Sequence, residues 1–246
     1  MVAVETKKAD VVIIGAGGAG MMCAIHAAGR GRSVLLLDHS QKLGGKILIS
    51  GGGRCNFTNL GAGPANYVSR NPHFCKSALS RYPPENFIQL VRDHGIPFHE
   101  KKLGQLFCDG SAQAIVDLLR TECQRVGAQF SLDTKIEKIS RREERGFYLE
   151  TSRGRVECQS LVIATGGLSI PKIGATGFGY EVAGQFVLKL VERAPALDGF
   201  TFAGTEAELC HSLAGVSVDC VMECNGGSFR ENVLFTHSGL SGPAAL

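Results

Sequence analysis

Apolar and polar positions near the start of the chain follow a strand–helix–strand order. Residues 11–14 (VVII) are a short β-branched run typical of a buried parallel strand, and residues 33–37 contain a second apolar run. Between them lies a helix-forming run, residues 19–28, which follows closely spaced glycines. This order predicts an α/β fold built around a parallel sheet.

Farther along, the pattern first continues and then changes. The remaining elements predicted for the first part are helices over 72–81, 84–94 and 111–126, strands over 128–132, 134–141, 146–152, 155–160 and 161–163, and a helix within 174–186. From about residue 190, short β-type runs replace this alternation. The change predicts two domains, 1–190 and 191–246, of which the second is β-rich.

Composition narrows the class of protein. The chain has 246 residues, of which 44% are hydrophobic and 20% charged, as in ordinary globular proteins. Its N-terminus is polar and no apolar run approaches the roughly 20 residues of a membrane span, which predicts a cytoplasmic protein without a membrane partner. Nine cysteines form no C-x-x-C pair and no zinc-like cluster, so we expect reduced thiols and no metal.

Charge argues against a nucleic-acid partner. The net charge is +3, and Lys and Arg are scattered apart from a mixed-sign run at 140–145. Nucleic-acid-binding proteins usually present a basic face. We therefore expect a small-molecule substrate and no nucleic acid, and the oligomeric state is left open.

The first motif with recognisable chemistry is G-x-G-x-x-G after the first strand. Gly15 allows a tight turn, Gly17 lets a pyrophosphate approach the backbone, and Gly20 lets the helix pack closely on the strand. Asp38 ends the second strand, where its carboxylate can accept both ribose hydroxyls and disfavours a 2′-phosphate. The spacing predicts a dinucleotide site formed by Gly15, Ala16, Gly17, Gly18, Ala19, Gly20 and Asp38.

Two features resemble the glutathione-reductase-like FAD folds. One is the long glycine-rich segment 39–59, and the other is the turn Ala164-Thr165-Gly166 after an apolar strand. The resemblance implies a Rossmann-like FAD-binding domain of the glutathione-reductase type, followed by the start of a β-rich inserted domain. It also implies cofactor contacts from His39, Lys42, Gly45, Lys46, Ile136, Ala164, Thr165 and Gly166. For the two lysines, a solvent-facing position is an equal alternative, and Ile136 is expected to meet adenine through its backbone.

A more specific resemblance rests on "GAGGAG", "KLGGK", "SGGGRCNFTN", "IATGG" and "LFTHSGLSGPAAL". Together they resemble the aminoacetone-oxidase-like family of FAD flavoproteins, some of which are linked to bile-acid reduction. The resemblance implies that Gly52, Gly53, Arg54 and Asn56 lie beside the flavin. A local alternative stays open, in which Arg54 pairs with an acidic neighbour and Asn56 closes a turn. Cys55 is weighed as a redox thiol, but it lacks a paired cysteine.

These observations predict an FAD oxidoreductase that passes hydride equivalents between a small organic substrate and an acceptor, with NAD(P)H as a candidate transient donor. No side chain stands out as the catalytic acid or base, so the catalytic residues are unknown. The alternatives are an FAD-binding remnant without catalysis and, with less support, an RNA-modifying flavoprotein. The family's members continue past the end of "SGPAAL", where a helix is expected to begin at Ser241. The resemblance therefore implies a C-terminally truncated form.

Overall fold

The computed structural model describes residues 6–143 and 145–246. The chain divides into two compact units, Met1–Lys189 and Leu190–Leu246, and each is described by itself. The assignment of residues 1–190 as an FAD-binding domain and 191–246 as an incomplete middle domain stays a prediction. In the described residues, no helix combines the length and the apolar character needed to cross a bilayer.

The bounds of the elements are as follows. The strands are β1 (Thr6–Ile14), β2 (Val34–Leu37), β3 (Asn56–Asn59), β4 (Phe98–Glu100), β5 (Gln105–Cys108), β6 (Gln129–Ser131), β7 (Ile136–Arg141), β8 (Phe147–Thr151), β9 (Gly154–Ile163), β10 (Phe200–Thr201), β11 (Ser217–Cys224), β12 (Gly227–Thr236) and β13 (Gly239–Ser241). The helices are α1 (Gly18–Ala28), α2 (Gly45–Ile49), α3 (Lys76–Arg81), α4 (Pro84–Asp93), α5 (Gln113–Arg125), α6 (Phe178–Gln185) and α7 (Thr205–Ser212).

A six-stranded sheet organises the first unit, in the order β6-β2-β1-β9-β8-β7. The neighbouring strands β6, β2, β1 and β9 are parallel. At the other side of the sheet, β9, β8 and β7 form an antiparallel meander. Alternate side chains of the central strands face opposite layers. Ile13 and Leu36 pack with α1 and α5, whereas Val12 and Leu37 pack with the meander and α6. The α/β class with a Rossmann-like parallel sheet, predicted from the sequence, is confirmed.

The strand order creates a crevice at the carboxyl edge of this sheet. β1 lies between β2, which the chain reaches through α1, and β9, which it reaches only after a long excursion. The loops that follow β1 and β9 therefore start from neighbouring strands but lead to different layers. Such a switch point is where open α/β sheets bind their ligands.

Two smaller sheets complete the fold. β3, β5 and β4 form an antiparallel sheet in the first unit. In the second unit, β10, β13, β12 and β11 form a four-stranded antiparallel sheet. The β-type runs predicted after residue 190 are thus strands, but α7 between them was not predicted.

Some predicted elements differ from the structure. The separate strands expected at 155–160 and 161–163 are one strand, β9, because nothing after Gly154 breaks the extended run and β1 pairs along it. The helix predicted over 72–81 is α3, which begins at Lys76 rather than at residue 72. Ser241, expected to cap a helix, is instead the last residue of β13, because it pairs with Leu234 in the sheet.

Candidate functional site

The loop after β1 and the first turn of α1 are packed so tightly that Gly15 and Gly20 cannot be replaced by a residue with a side chain. Gly15 has a φ of +108°, and a Cβ there would overlap the carbonyl oxygen of Ala164. A Cβ on Gly20 would overlap the carbonyl oxygen of Gly15. The Gly15 N–H donates to the oxygen of Leu37 at 2.8 Å. These contacts hold the loops after β1, β2 and β9 together.

Gly17 lies in the same loop but has no such internal constraint. Its φ is an ordinary −85°, and a Cβ there would meet no atom of the described residues within 4 Å. Gly17 is also the N-cap of α1, and within the described chain no side chain caps this helix. Open space beside uncapped N–H groups at a helix N-terminus fits a pyrophosphate. The residues present therefore fit a dinucleotide cofactor.

Asp38 links the end of β2 to this loop. The Ala16 N–H donates to its Oδ2 at 2.7 Å, and the Ser40 N–H donates to its Oδ1 at 2.8 Å. Its side chain is 15% exposed, and each carboxylate oxygen can accept a further hydrogen bond. Asp38 thus positions the loop and still has capacity for the ribose hydroxyls that the sequence assigns to it.

Two residues beside Asp38, His39 and Thr134, extend the site. The His39 Nδ1 lies 3.6 Å from Asp38 Oδ1, and a Cβ on Gly174 would lie 2.8 Å from the His39 Nε2. The Thr134 N–H donates to the Asp38 carbonyl at 2.8 Å. Thr134 was not predicted from the sequence, because a contact made through backbone groups leaves no side-chain pattern.

The segment after Asp38 folds back on the loop through α2, which was not predicted. The Gly44 N–H donates to the Ala16 oxygen at 3.1 Å, and Gly44 has a φ of +63° just before Gly45 begins α2. The Lys46 Nζ donates to the Gly167 oxygen at 3.1 Å and to the Ser169 Oγ at 2.9 Å. Lys46 therefore connects α2 to the loop after β9, whereas Lys42 is exposed.

The loop after β9 carries the predicted Ala164-Thr165-Gly166 turn. The Ala164 N–H donates to the Ile14 oxygen at 2.8 Å, so the turn starts beside the loop after β1. A Cβ on Gly179 in α6 would lie 2.9 Å from the Thr165 Oγ1. Ile136, by contrast, packs half-buried against the apolar cluster that contains Val12 and Leu37. Its assignment to the adenine ring stays a prediction.

The glycine triplet is a left-handed loop held in place from both sides. Gly51, Gly52 and Gly53 have φ values of +57°, +66° and +85°, which explains why three glycines follow one another. The Gly53 oxygen accepts from the Ala112 N–H at 2.7 Å. A Cβ on Gly51 would lie 2.7 Å from the Phe107 ring, whereas one on Gly52 would meet no described atom within 4 Å.

The three residues after the triplet have different surroundings. Arg54 is exposed and joins none of the ion pairs found among the described residues. The Asn56 amide, with its nitrogen oriented to donate, bonds the carbonyls of Thr58 and Leu106 at 3.0 and 3.2 Å. Asn56 therefore supports the local structure of β3, whereas its placement beside the flavin stays a prediction. The Arg54 guanidinium is free of acidic partners within the described part.

Cys55 is buried, and burial raises the pKa of its thiol, with a smaller opposing effect from the Ser50 hydroxyl. Burial also raises the pKa of Cys108 to about 11. A redox thiol needs a thiolate near neutral pH. Cys55 therefore has the character of a packing residue. Among the described residues, no group of three His, Cys, Asp or Glu side chains could hold a metal ion.

These features define an α/β protein with a dinucleotide-binding crevice at the carboxyl edge of its parallel sheet. Residues 9–235 match the family model described as the HI0933-like protein Rossmann domain. The chain belongs to this HI0933-like family. The predicted class of protein, an FAD flavoprotein, is confirmed at the level of family and fold, whereas the residues that contact FAD stay a prediction.

Three curated relatives are informative. The chain is 52% identical over 241 residues to a ribosomal RNA dihydrouridine synthase from Escherichia coli (strain K12), covering 98% of this chain and 60% of the relative. It is 47% identical over 245 residues to the protein of the same name from Haemophilus influenzae, covering 98% and 61%. It is 27% identical over 188 residues to a 3-dehydro-bile acid delta(4,6)-reductase from Clostridium scindens, covering 75% and 46%. The chain spans about 60% of the length of the first two.

A solved structure shows the same fold. A flavocytochrome c3 fumarate reductase in its open conformation superposes with a TM-score of 0.53 at 19% identity, covering 87% of this chain and 47% of that one. At this identity the likeness concerns the fold alone.

The comparisons change two expectations. The two relatives that match over 98% of this chain are named for ribosomal RNA modification rather than aminoacetone oxidation, so the resemblance holds only for the wider group of FAD flavoproteins. The expectation that nucleic acid is not a partner is contradicted by the same names. It relied on the net charge, which averages over regions of opposite sign and does not describe any one face.

Proposed function

We propose that this chain acts in an FAD-dependent oxidoreductase that reduces uridine to dihydrouridine in ribosomal RNA. The observation that carries the proposal is the 52% identity to the Escherichia coli relative of that name, over 98% of this chain. The matched stretch of 241 residues takes in the whole candidate cofactor site, from Gly15 to Gly166. The activity is proposed for the whole protein, because the chain spans only part of the relatives' length.

The chemistry follows from the difference between the two nucleosides. Dihydrouridine has two more hydrogens than uridine, on C5 and C6, so the reaction adds a hydride to one carbon and a proton to the other. Reduced FAD supplies the hydride when bound, and NAD(P)H is the candidate donor that would reduce FAD again. The chain's own role is to bind the cofactor and orient it towards the base.

Each part of the site has a distinct task in this proposal. The open N-terminus of α1 at Gly17 holds the pyrophosphate, and Asp38 accepts from the ribose. The left-handed loop 51–53 passes beside the flavin, where Arg54 offers an exposed cation. Lys46 fixes α2 to the loop after β9 and so keeps the two sides of the crevice together.

A reductase acting on a small organic molecule is the second candidate. The 27% identity to the bile-acid reductase supports it, but over 75% of the chain rather than 98%. The two candidates share the cofactor site and differ in what approaches the flavin.

The test measures both activities on one preparation. The protein is purified, its visible spectrum is recorded for bound flavin, and it is incubated with NADPH or NADH and deproteinised ribosomal RNA. Nucleosides from the digested RNA are then analysed by mass spectrometry. The expected result is a uridine-to-dihydrouridine mass increase that requires the reduced nicotinamide. Flavin-containing protein that oxidises NAD(P)H with a small organic acceptor but leaves the RNA unchanged would support the second candidate.

A further inference from the structure

The charge of the chain is distributed very unevenly. Residues 39–84 contain six of the 26 Lys and Arg residues, but all 23 Asp and Glu residues lie elsewhere. The first part of this acid-free stretch, residues 39–59, contributes His39, Lys46 and the left-handed loop 51–53 to the candidate cofactor site. The second half, which we call the basic segment and define as residues 64–82, takes no part in that site.

The basic segment presents aromatic and apolar side chains to solvent. Every residue from 64 to 74 is exposed. Tyr67 is 51% exposed, Val68 98% and Phe74 83%. Arg70 and His73 lie between the two aromatic residues in the sequence, so cationic and aromatic side chains are interleaved.

The cations of this segment are available to a ligand. Arg70, Lys76 and Arg81 are all exposed. None of them is in an ion pair with an acidic side chain of the described residues. Elsewhere in the first unit several exposed arginines are paired, as Arg153 is with Asp133 at 3.1 Å. The basic segment is therefore a cationic surface that the fold itself does not neutralise.

The segment is anchored to the unit that carries the cofactor site. Tyr82, just after α3, meets the His26 ring of α1 edge-on at 5.7 Å between centroids. In β3, before the segment begins, the Asn59 Nδ2 donates to the Leu103 oxygen at 2.8 Å. β3 connects the left-handed loop 51–53 to Asn59 and is about 13 Å long at 3.3 Å per residue. Along the chain, the segment therefore follows closely on the loop that the proposed function places beside the flavin.

We infer that the basic segment, residues 64–82, is an RNA-binding surface of this protein. The inference rests on the proposed function and adds to it the place where the substrate docks. Arg70, Lys76 and Arg81 neutralise phosphates, and Tyr67 and Phe74 stack on unpaired bases, which is how proteins hold single-stranded RNA. A purely apolar protein partner would not require the unpaired cations, and an acidic one would not require two exposed aromatic rings among them.

The test compares three variants of the full chain. The first, R70A/K76A/R81A, removes three cations from the segment. The second, Y67A/F74A, removes the aromatic rings. The control, K135A/K138A/R155A, removes three exposed cations, in β7, in β9 and just before β7, and changes the net charge equally. Binding of a labelled 20-nucleotide oligouridine is measured as a function of salt, and dihydrouridine formation is measured on deproteinised ribosomal RNA. Flavin content and melting temperature are recorded for each variant.

The two segment variants should fail in different ways. R70A/K76A/R81A should reduce the slope of log K against log salt by about 2, since each phosphate contact with a single strand contributes roughly 0.7. Y67A/F74A should weaken binding about tenfold or more without changing the slope. Both should retain flavin and stability, and the control should bind like the parent.

The outcomes separate this inference from the proposed function. If the parent forms dihydrouridine but the segment variants match the control, the segment is not the RNA surface although the function stands. If the parent forms no dihydrouridine and does not bind the oligouridine, the proposed function fails and this inference with it. If Y67A/F74A leaves RNA binding unchanged and alters only the oligomeric state, measured as the mass of the protein by light scattering, the aromatic residues contact protein. The inference is then overturned.

Discussion

Gly17 and Gly20 lie three residues apart, at the N-cap and in the first turn of α1, yet the structure gives them different reasons to be glycine. Gly20 has backbone directly where a Cβ would be, whereas Gly17 faces open space with an ordinary φ. Gly17→Val should therefore abolish FAD binding and leave the melting temperature of the apoprotein unchanged. Gly20→Ala should destabilise the apoprotein by about 2 kcal/mol or more, because the overlap forces the backbone to shift. Flavin absorbance per chain and melting of the apoproteins measure the two effects.

Gly184→Ala is the matched control for this pair, since Gly184 in α6 also has open space around it but lies outside the candidate site. It should keep both flavin and stability. The apoproteins must be compared because bound FAD itself raises the melting temperature. A Gly17→Val protein with normal flavin content would show that the pyrophosphate does not pass this loop.

Asp38 combines a structural and a ligand-binding role, and one substitution tests both. In Asp38→Ala the buried Ala16 N–H loses its acceptor, which should cost about 1–3 kcal/mol of apoprotein stability. FAD affinity should fall by a further roughly 1.5–3 kcal/mol as the charge-assisted bonds to the ribose are lost. Denaturant unfolding and FAD titration give the two numbers separately. Lower stability with undiminished FAD affinity would leave Asp38 only the structural role.

The left-handed loop 51–53 shows what local sequence can specify. The family resemblance placed this loop beside the flavin, and its three positive φ values explain why glycine occupies all three positions. The G-x-G-x-x-G turn was predictable because its spacing between a strand and a helix is characteristic of dinucleotide sites. By contrast, the roles of Thr134 and Lys46 depend on backbone groups far away in the sequence. Such contacts arise from tertiary structure and leave no local pattern.

At the scale of elements, α4 and α5 are joined by a partly buried charge cluster. The Arg125 Nη2 lies 2.6 Å from Glu122 Oε2, and the His94 Nε2 lies 3.1 Å from Glu122 Oε1. The hydrogen bonds from Arg125, and to a lesser degree from His94, hold the pKa of Glu122 below its usual 4.5, against the opposing effect of burial. Because the folded-state pKa is lowered, the stabilisation is complete above pH 4.5 and is lost as the pH falls below the lowered value.

Glu122→Gln should therefore reduce the free energy of unfolding by about 1–3 kcal/mol at pH 7, and the difference from the parent should shrink as the medium becomes acidic. The control lies on the same helix with the same spacing. Asp117 pairs with Arg120 at 2.9 Å on the exposed face, so Asp117→Asn should cost at most about 0.5 kcal/mol. Urea unfolding from pH 3 to 8 measures both. A loss for Glu122→Gln that is independent of pH would mean that packing, not charge, stabilises this contact.

Helices and strands were predictable where the hydrophobic periodicity agreed with the prolines and glycines that mark element ends, and less so elsewhere. α4 begins at its proline and α5 ends near its glycine, close to the predicted bounds. α2 was missed because five residues between glycines show no helical period. β9 was divided because its polar residues, Gln159 and Ser160, interrupt the apolar pattern, although both sit in a strand that pairs with β1. Sheet pairing overrides local pattern in such cases.

At the scale of the whole molecule, the two units differ in how much core they possess. The first unit packs two apolar clusters on the faces of its main sheet. The second, Leu190–Leu246, buries Cys210 and Val233, while Leu209, Val221 and Phe229 are each more than half exposed. A unit of this size is only marginally stable on the basis of surface-to-volume scaling. The candidate FAD site lies entirely within the first unit.

Hydrogen exchange measured by mass spectrometry should therefore divide the chain near residue 190. Amides of 6–143 and 145–189 should exchange slowly, and more slowly still with saturating FAD, because a ligand stabilises the unit that binds it. Amides of 190–246 should exchange faster and show no response to FAD. The Gly17→Val protein provides the control, since added FAD should not change its exchange anywhere. FAD-dependent protection that extends equally through 190–246 would show that the two units open as one cooperative structure and that the cofactor stabilises both.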